Sequence, residues 1–314
     1  MTNLREYNMN GTIILGVDAG YGNFKTARTC FPTSVTKSMS EPTISKDYVE
    51  YNGAYYILGD GHKDFVADKH EDEDNYVLTL AAIAKELKAR GLNTAKIHLA
   101  VGLPLKWFQT QREDFRRYML QNRHLDYRYA GKRYVVDIDD CTVMPQCYAA
   151  IAENLKEFKG MNMVADIGNG TMNILQIIDW KPDGRQMFTE KYGVQQYILA
   201  MREALMREHN ANPGEKILHR FLRKGTAGLD AALEETMRAT AVKYTKEVFR
   251  VLREHGYDSR LMKLYVVGGG GCMLKNFASL NNTAVTINDD ICATAKGYEH
   301  LALREISKNE KCRK

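Results

Sequence analysis

Asp18-Ala19-Gly20-Tyr21-Gly22-Asn23-Phe24-Lys25 follows directly on the apolar run Ile13 to Val17. That run reads as a short buried strand. Phe24 to Arg28 returns beside it, so the glycines between them form the turn of a hairpin. Glycines let backbone N–H groups approach an anion without side-chain obstruction, and a concave set of such groups holds phosphate oxygens. Asp18 cannot itself be a phosphate ligand, because like charges repel. A carboxylate there makes sense when a divalent cation, Mg²⁺ with its waters, sits between it and the phosphates. Lys25, on the returning strand, reaches the β- or γ-phosphate as a point charge. Gly20, Tyr21, Gly22, Asn23 and Lys25 are therefore candidate nucleotide contacts, with Asp18 as a metal-linked group.

A single Asp-Gly-rich hairpin is weak evidence, since such turns are common. The pattern recurs, however. Met163 to Ala165 is a predicted strand, Asp166-Ile167-Gly168-Asn169-Gly170-Thr171 a Gly-rich turn, and Asn173 to Ile178 the returning strand, with Pro182-Asp183-Gly184 making the next turn. Gly168, Asn169, Gly170 and Thr171 are the matching phosphate contacts, and Asp166 the matching carboxylate. A third element, Leu264-Tyr265-Val266-Val267 running into Gly268, Gly269, Gly270 and Gly271, is a strand that opens into four glycines. Their ordering cost argues for close approach by a flat ligand such as adenine.

Around these turns the elements alternate. Tyr48 to Tyr51 and Ala54 to Leu58 flank Asn52-Gly53, a hairpin dipeptide. Leu80, Ile83, Ala84 and Leu87 fall at helical spacing before a stop at Gly91, and Ile97 to Val101 is a strand ending at Gly102-Leu103-Pro104. Leu229, Leu233, Met237, Tyr244, Val248 and Leu252 mark one face of a long helix that stops at Gly256. Two halves of similar order imply a duplicated α/β domain with a ligand cleft between the copies.

Composition narrows the class. The chain has 314 residues, 44% hydrophobic and 26% charged, enough for two cores. Its net charge of +5 is spread along the chain, so no direct DNA contact is expected. The six cysteines form no C-x-x-C pair and read as reduced thiols. No apolar run spans a bilayer, and MTNLREYNMN reads as a disordered leader, which makes a soluble, cytoplasmic protein without membrane contact the expectation. The histidines, His62, His70, His98 and His124 among them, share no ligand spacing. Glu71 to Asp74 reads as a solvated loop, Glu215 and Lys216 as a surface helix, and Lys308 to Lys314 as a frayed basic tail.

Taken together, strand-DxGxGxxK, strand-DxGxGT and strand-GGGG resemble the two phosphate motifs and the adenosine motif of the actin-like ATPase superfamily. Asp18 to Lys25 with Val101-Gly102-Leu103-Pro104 is most similar to the ParM/StbA plasmid-segregation branch, and Asp289 to Tyr298 looks like that branch's closing helix. The resemblance implies an actin-like ATPase fold of two duplicated ribonuclease-H-like domains around a nucleotide cleft. Domain I would span 1–158, with a small subdomain near 31–75 and a closing helix at 293–314. Domain II would span 159–292, with a small subdomain near 195–255. It implies ATP, or GTP in its place, with Mg²⁺ held through water by Asp18 and Asp166. Gln146, after Pro145, falls where the family places a residue that orients the attacking water, and Asp166 is the second catalytic candidate.

The implied activity is an ATP-dependent filament that polymerises head to tail, segregates plasmid DNA through a ParR-like adaptor on a centromeric site, and disassembles on Mg-dependent hydrolysis. The alternative is a sugar or small-metabolite kinase on the same fold, for which the sequence offers no clear carboxylate base. A heat-shock-type ATPase would need a further peptide-binding domain, and an MreB-type filament a membrane-binding apolar element.

Overall fold

The structure, a computed structural model, describes residues 7–59, 73–280 and 284–313. His62, His70, Glu71, Asp72 and most of the leader lie outside them. The chain divides into two compact units, the first comprising Met1–Glu153 with Cys292–Lys314, the second Asn154–Ile291.

Unit 1 begins with β1 (Asn8–Met9), β2 (Thr12–Ala19), β3 (Asn23–Thr26) and β4 (Cys30–Pro32). Then come β5 (Val35–Ser38), β6 (Tyr48–Tyr51), β7 (Ala54–Leu58), α1 (Glu73–Ala89), β8 (Thr94–Leu103) and α2 (Leu105–Met119). β9 (His124–Tyr129), β10 (Lys132–Pro145) and α3 (Tyr148–Ile151) complete the first segment. One mixed sheet holds these strands in the order β4-β3-β2-β8-β10-β9-β6-β7-β5, with β1 paired to β2. Every residue of β2 is buried, and the strand lies parallel to β8 and antiparallel to β3. α1 is buried almost around its whole circumference, from Asn75 to Ala84, because Val77-Leu78-Thr79-Leu80-Ala81-Ala82-Ile83-Ala84 leaves it no polar face. Its Glu86, fully buried, accepts from the Thr26 hydroxyl at 2.5 Å and from Arg28 Nη1 at 2.7 Å, tying the helix to β3 and its exit.

Unit 2 contains β11 (Met161–Ile167), β12 (Met172–Ile178), β13 (Lys181–Glu190), α4 (Val194–His209), α5 (Glu215–Lys224), α6 (Ala231–Glu254), β14 (Lys263–Val267), α7 (Gly271–Phe277) and β15 (Val285–Ile287). Its sheet runs β13-β12-β11-β14-β15. β11 pairs antiparallel to β12 and parallel to β14. The arrangement is that of β4-β3-β2-β8-β10 in unit 1: an antiparallel meander whose first strand is then joined by two parallel neighbours. Two such sheets make the fold α/β, with the same arrangement in both units, as the paired turns imply.

The last helix, α8 (Ala293–Arg313), packs on β2, β8 and α3 of unit 1. Contact is backbone-close: a Cβ on Gly16 would lie 2.1 Å from the Ala295 carbonyl oxygen, and one on Gly297 would lie 1.7 Å from that of Ala149. Buried Glu299 accepts from the Gly16 N–H at 3.1 Å, and Tyr298 is fully buried in a cluster with Ile14, Ala100, Ala149 and Ala302.

Four local expectations are corrected. The turn after β12 is Asp179-Trp180, both at positive φ, and not Pro182-Asp183-Gly184, which lies in β13. Tertiary contacts hold it there: the Asp179 N–H donates to the Gly160 carbonyl at 3.0 Å and the Trp180 indole to the Lys156 carbonyl at 3.1 Å. The described part of the leader, from Tyr7, carries a strand, since Asn10-Gly11 (φ 52° and 81°) folds β1 back on β2. Glu73 and Asp74 open α1, where acidic side chains suit the helix N-terminus. Lys308 to Arg313 continue α8 as helix.

Replacing a helical glycine by alanine ordinarily stabilises by about 1 kcal/mol. Gly297→Ala should instead lower the melting temperature, because the added methyl can fit only if α8 moves off α3; a rise in thermal denaturation would refute this packing. His98 is buried, and its Nε2 is hydrogen-bonded to the Thr142 hydroxyl at 2.7 Å. Burial pushes its pKa below the ordinary 6.5, opposed by Asp140 and Asp139 and aided by Arg116. The unfolded chain therefore takes up a proton that the folded chain refuses, so stability present above pH 6.5 is lost as pH falls below it. Melts from pH 7.5 to 5 should show this loss in wild type and a shallower one in His98→Asn.

Candidate functional site

In unit 1 the site is built on the hairpin of β2 and β3. Register places Asp18 opposite Lys25, and Ala19 opposite Phe24. Asp18 is 5% exposed, at the end of an otherwise apolar strand. A carboxylate taken so far out of water needs a partner, and Lys25 Nζ lies 3.2 Å from its Oδ2. Its other oxygen, Oδ1, is 3.4 Å from Gln146 Nε2, a long hydrogen bond. The loop between the strands is held from behind. The Gly20 N–H turns back to the Asp18 carbonyl at 3.1 Å, the Thr33 hydroxyl donates to the Gly20 carbonyl at 2.6 Å, and the Thr33 N–H donates to that of Gly22 at 3.1 Å. Burial raises the Tyr21 phenol far above its usual range, so it remains a neutral hydroxyl. Gly20, Tyr21, Gly22, Asn23, Lys25, Asp18 and Gln146 are thus brought together in one place.

Gln146 arrives from the far end of β10. It is 9% exposed, and its N–H donates to the Leu103 carbonyl at 2.8 Å. Cys147 follows at φ 65°, ψ −59°, and the Tyr148 N–H closes back on the Gln146 carbonyl at 2.6 Å. This is a three-residue turn at a positive φ that a side chain disfavours, at a cost of about 1–3 kcal/mol. Gln146 is accordingly not the first residue of a helix; α3 begins after the turn.

In unit 2 the corresponding turn joins β11 to β12. The Gly168 N–H donates to the Thr171 carbonyl at 2.9 Å, and the carbonyls of Gly168 and Asn169 accept from the first amides of α4, those of Val194 and Gln195, at 3.0 and 2.8 Å. Asp166 is half-buried, level with Val267 on β14 and Asn173 on β12. The glycine run lies directly against it. A Cβ on Gly268 (φ 86°) would stand 2.6 Å from Asp166 Oδ1, and one on Gly270 would stand 2.3 Å from the Ile167 side chain. These two glycines are required by the turn itself. Gly269 is different: a Cβ there would meet nothing within 4 Å, which leaves its face open to a flat group. Gly271 opens α7. Asp166 and the turn Gly168-Asn169-Gly170 thus adjoin the glycine run, of which Gly269 is exposed, while Thr171, Gly270 and Gly271 are buried.

Thr33, which fixes the back of the first loop, and Glu299, which holds β2 at Gly16, carry no local sequence signal. Their roles depend on contacts from elsewhere in the chain. Among the described residues no group of three or more histidine, cysteine or carboxylate side chains is placed to hold a metal. The single carboxylate at each turn is a donor of the kind that an ion such as Mg²⁺ takes alongside its waters, and not one that cages an ion in protein. Among the described residues no helix is long and apolar enough to cross a membrane.

Residues 16–148 match the family described as actin like proteins N terminal domain. No curated protein matches the chain in sequence. Solved structures match over nearly its whole length. Ta0583, an archaeal actin homolog, superposes with a TM-score of 0.75 at 18% identity, covering 93% of this chain and 99% of its own, and it has also been solved in complex with ADP. The Alp12 filament structure has a TM-score of 0.67 at 19% identity, with 95% and 100% covered. Bacillus thuringiensis ParM with ATP has a TM-score of 0.69 at 12% identity, with 95% and 100% covered. The chain has the fold of these actin-like proteins.

Removing one partner of a fully buried ion pair typically costs about 3–5 kcal/mol, and less is expected for this pair because Lys25 is only part-buried. Lys25→Ala should therefore destabilise the chain at neutral pH. Adding Asp18→Asn should recover much of the loss, because the amide leaves no charge behind. Denaturant melts of the three variants check this, and a double variant no better than Lys25→Ala would show that the pair is not what holds the hairpin.

Proposed function

We propose that this chain is an ATP-dependent polymerising protein whose head-to-tail filaments segregate plasmid DNA and are dismantled after Mg-dependent ATP hydrolysis. One observation carries the reading: the same five-strand arrangement occurs in both units, and in each its first strand ends in an aspartate against a glycine turn. In unit 1 a part-buried lysine lies against that carboxylate and neutralises it. Phosphates with a hydrated cation give both residues work. Lys25 is placed to take a phosphate in exchange for its carboxylate partner, and Asp18 and Asp166 would hold Mg²⁺ through its waters, the ion supplying charge neutralisation when bound. With the Gly20 and Gly168 amides taken inside their own turns, the backbone amides of Tyr21 to Asn23 and Asn169 to Thr171 bind the phosphates, and the open face of Gly269 takes the base.

Gln146 cannot act as a strong base, but its amide orients a water for in-line attack, with Asp166 as the second water-polarising group. Polymerisation is supported by likeness to a protein solved as a filament, and nucleotide use by likeness to proteins solved with ADP and ATP. The cargo, plasmid DNA reached through an adaptor on its centromeric site, rests on the resemblance of the first loop to the plasmid-segregation branch. The spread of charge over the chain fits an adaptor better than direct DNA contact. A cytoplasmic location completes the reading.

Asp166→Ala should keep nucleotide binding measurable while lowering hydrolysis about 10²–10³-fold, the usual scale for a positioned polar group. The same variant should pellet with Mg-ATP and fail to disassemble. Wild-type turnover in the variant would overturn the assignment. A wild-type chain that stays monomeric with Mg-ATP and with Mg-GTP, in sedimentation and in electron micrographs, would overturn the function.

A further inference from the structure

A chain reversal at positive φ is ordinarily given to glycine or asparagine, yet the residue between Gln146 and α3 is a cysteine with no exposed surface. If reversal alone were required, glycine would make it without strain. What cysteine adds is a wholly buried side chain, and the turn it occupies bears on one particular group. The Gln146 backbone is gripped twice: its N–H is bound to the Leu103 carbonyl at 2.8 Å, and its carbonyl is bound by the Tyr148 N–H at 2.6 Å across the Cys147 turn. The first contact ties it to β8, and the second ties it to α3, whose Ala149 backs onto Gly297 of α8. Between these two supports the side chain points its amide at Asp18 Oδ1. Strained, fully buried backbone of this kind persists only where its surroundings over-determine it.

We propose that Cys147 is a positioning residue for catalysis: its buried side chain locks the turn that fixes where the Gln146 amide sits. The inference rests on the water-positioning role given to Gln146. In it the thiol does no chemistry. The side chain is an anchor, and its loss frees the Gln146 carbonyl to leave the turn, so the amide samples positions away from the attacking water.

The test is a double-variant cycle in steady-state Mg-ATP hydrolysis by the full chain, using Gln146→Ala, Cys147→Gly and the two combined. Cys147→Gly should lower kcat about tenfold to a hundredfold, the order that misplacement by about 1 Å produces, with KM for ATP unchanged. In the Gln146→Ala background the same substitution should have no further effect on kcat, since the group it positions is gone. Should Cys147→Gly fail to fold, Cys147→Ala, which keeps the Cβ and removes the anchoring sulfur, goes through the same cycle with the same expectation.

Equal losses in both backgrounds would mean a general structural role and overturn the inference. So would undiminished kcat in the Cys147 variants alongside a loss in Gln146→Ala, leaving the role of Gln146 intact. Undiminished kcat in Gln146→Ala would overturn the role of Gln146 itself, and the inference with it. A wild-type chain with no turnover would be the separate failure of the proposed activity.

Discussion

A carboxylate at the buried end of a central strand is the constraint around which unit 1 is arranged. β2 has no exposed residue, so Asp18 cannot be left to water, and an unpaired ion there would cost more than the strand's packing can tolerate. Lys25 answers it from the neighbouring strand, and that answer requires a register in which residues 18 and 25 face one another. The register in turn sets the length of the loop at Gly20 to Gly22, and Thr33 then pins the loop from behind. Fold and site are therefore not separable here. The paired charges at the loop also specify the hairpin.

The opposite face of β2 is governed by backbone approach instead of charge. α8 comes so near that Gly16 and Gly297 have no room for a Cβ, and the Gly16 amide is satisfied by a side chain of the helix, Glu299. β2 thus carries the site at its end and the C-terminal helix on its face. α8 also abuts α3, and α3 begins at the strained turn after Gln146. A continuous chain of contacts runs from the last helix to the amide beside Asp18.

Much of this architecture was legible in one dimension. The Asn52-Gly53 hairpin, the apolar strands before each aspartate, the stop at Gly91 and the long helix ending before Gly256 all follow from local periodicity and turn chemistry, and all occur in the structure. Readings failed where a distant segment decided the outcome. Pro182-Asp183-Gly184 has strong turn chemistry but lies in a strand, because Asp179 and Trp180 are caught by residues 156–160. The leader gained a strand through Asn10-Gly11, the same dipeptide signal as at 52–53 but set in a more polar context.

By itself, the sequence determined the order of elements, the two turns with their aspartates and the strand that runs into four glycines, since each is a property of neighbouring residues and of a backbone with few allowed conformations. Only the tertiary structure decided which glycines serve the fold and which leave room for a ligand. Gly268 and Gly270 are pressed against Asp166 and Ile167, whereas Gly269 meets nothing. It alone also decided that Gln146 is held between Leu103 and a buried, strained cysteine. The physical reason is common to both: close approach and burial are relations between segments far apart in the chain, and no local pattern records which segment a residue will meet.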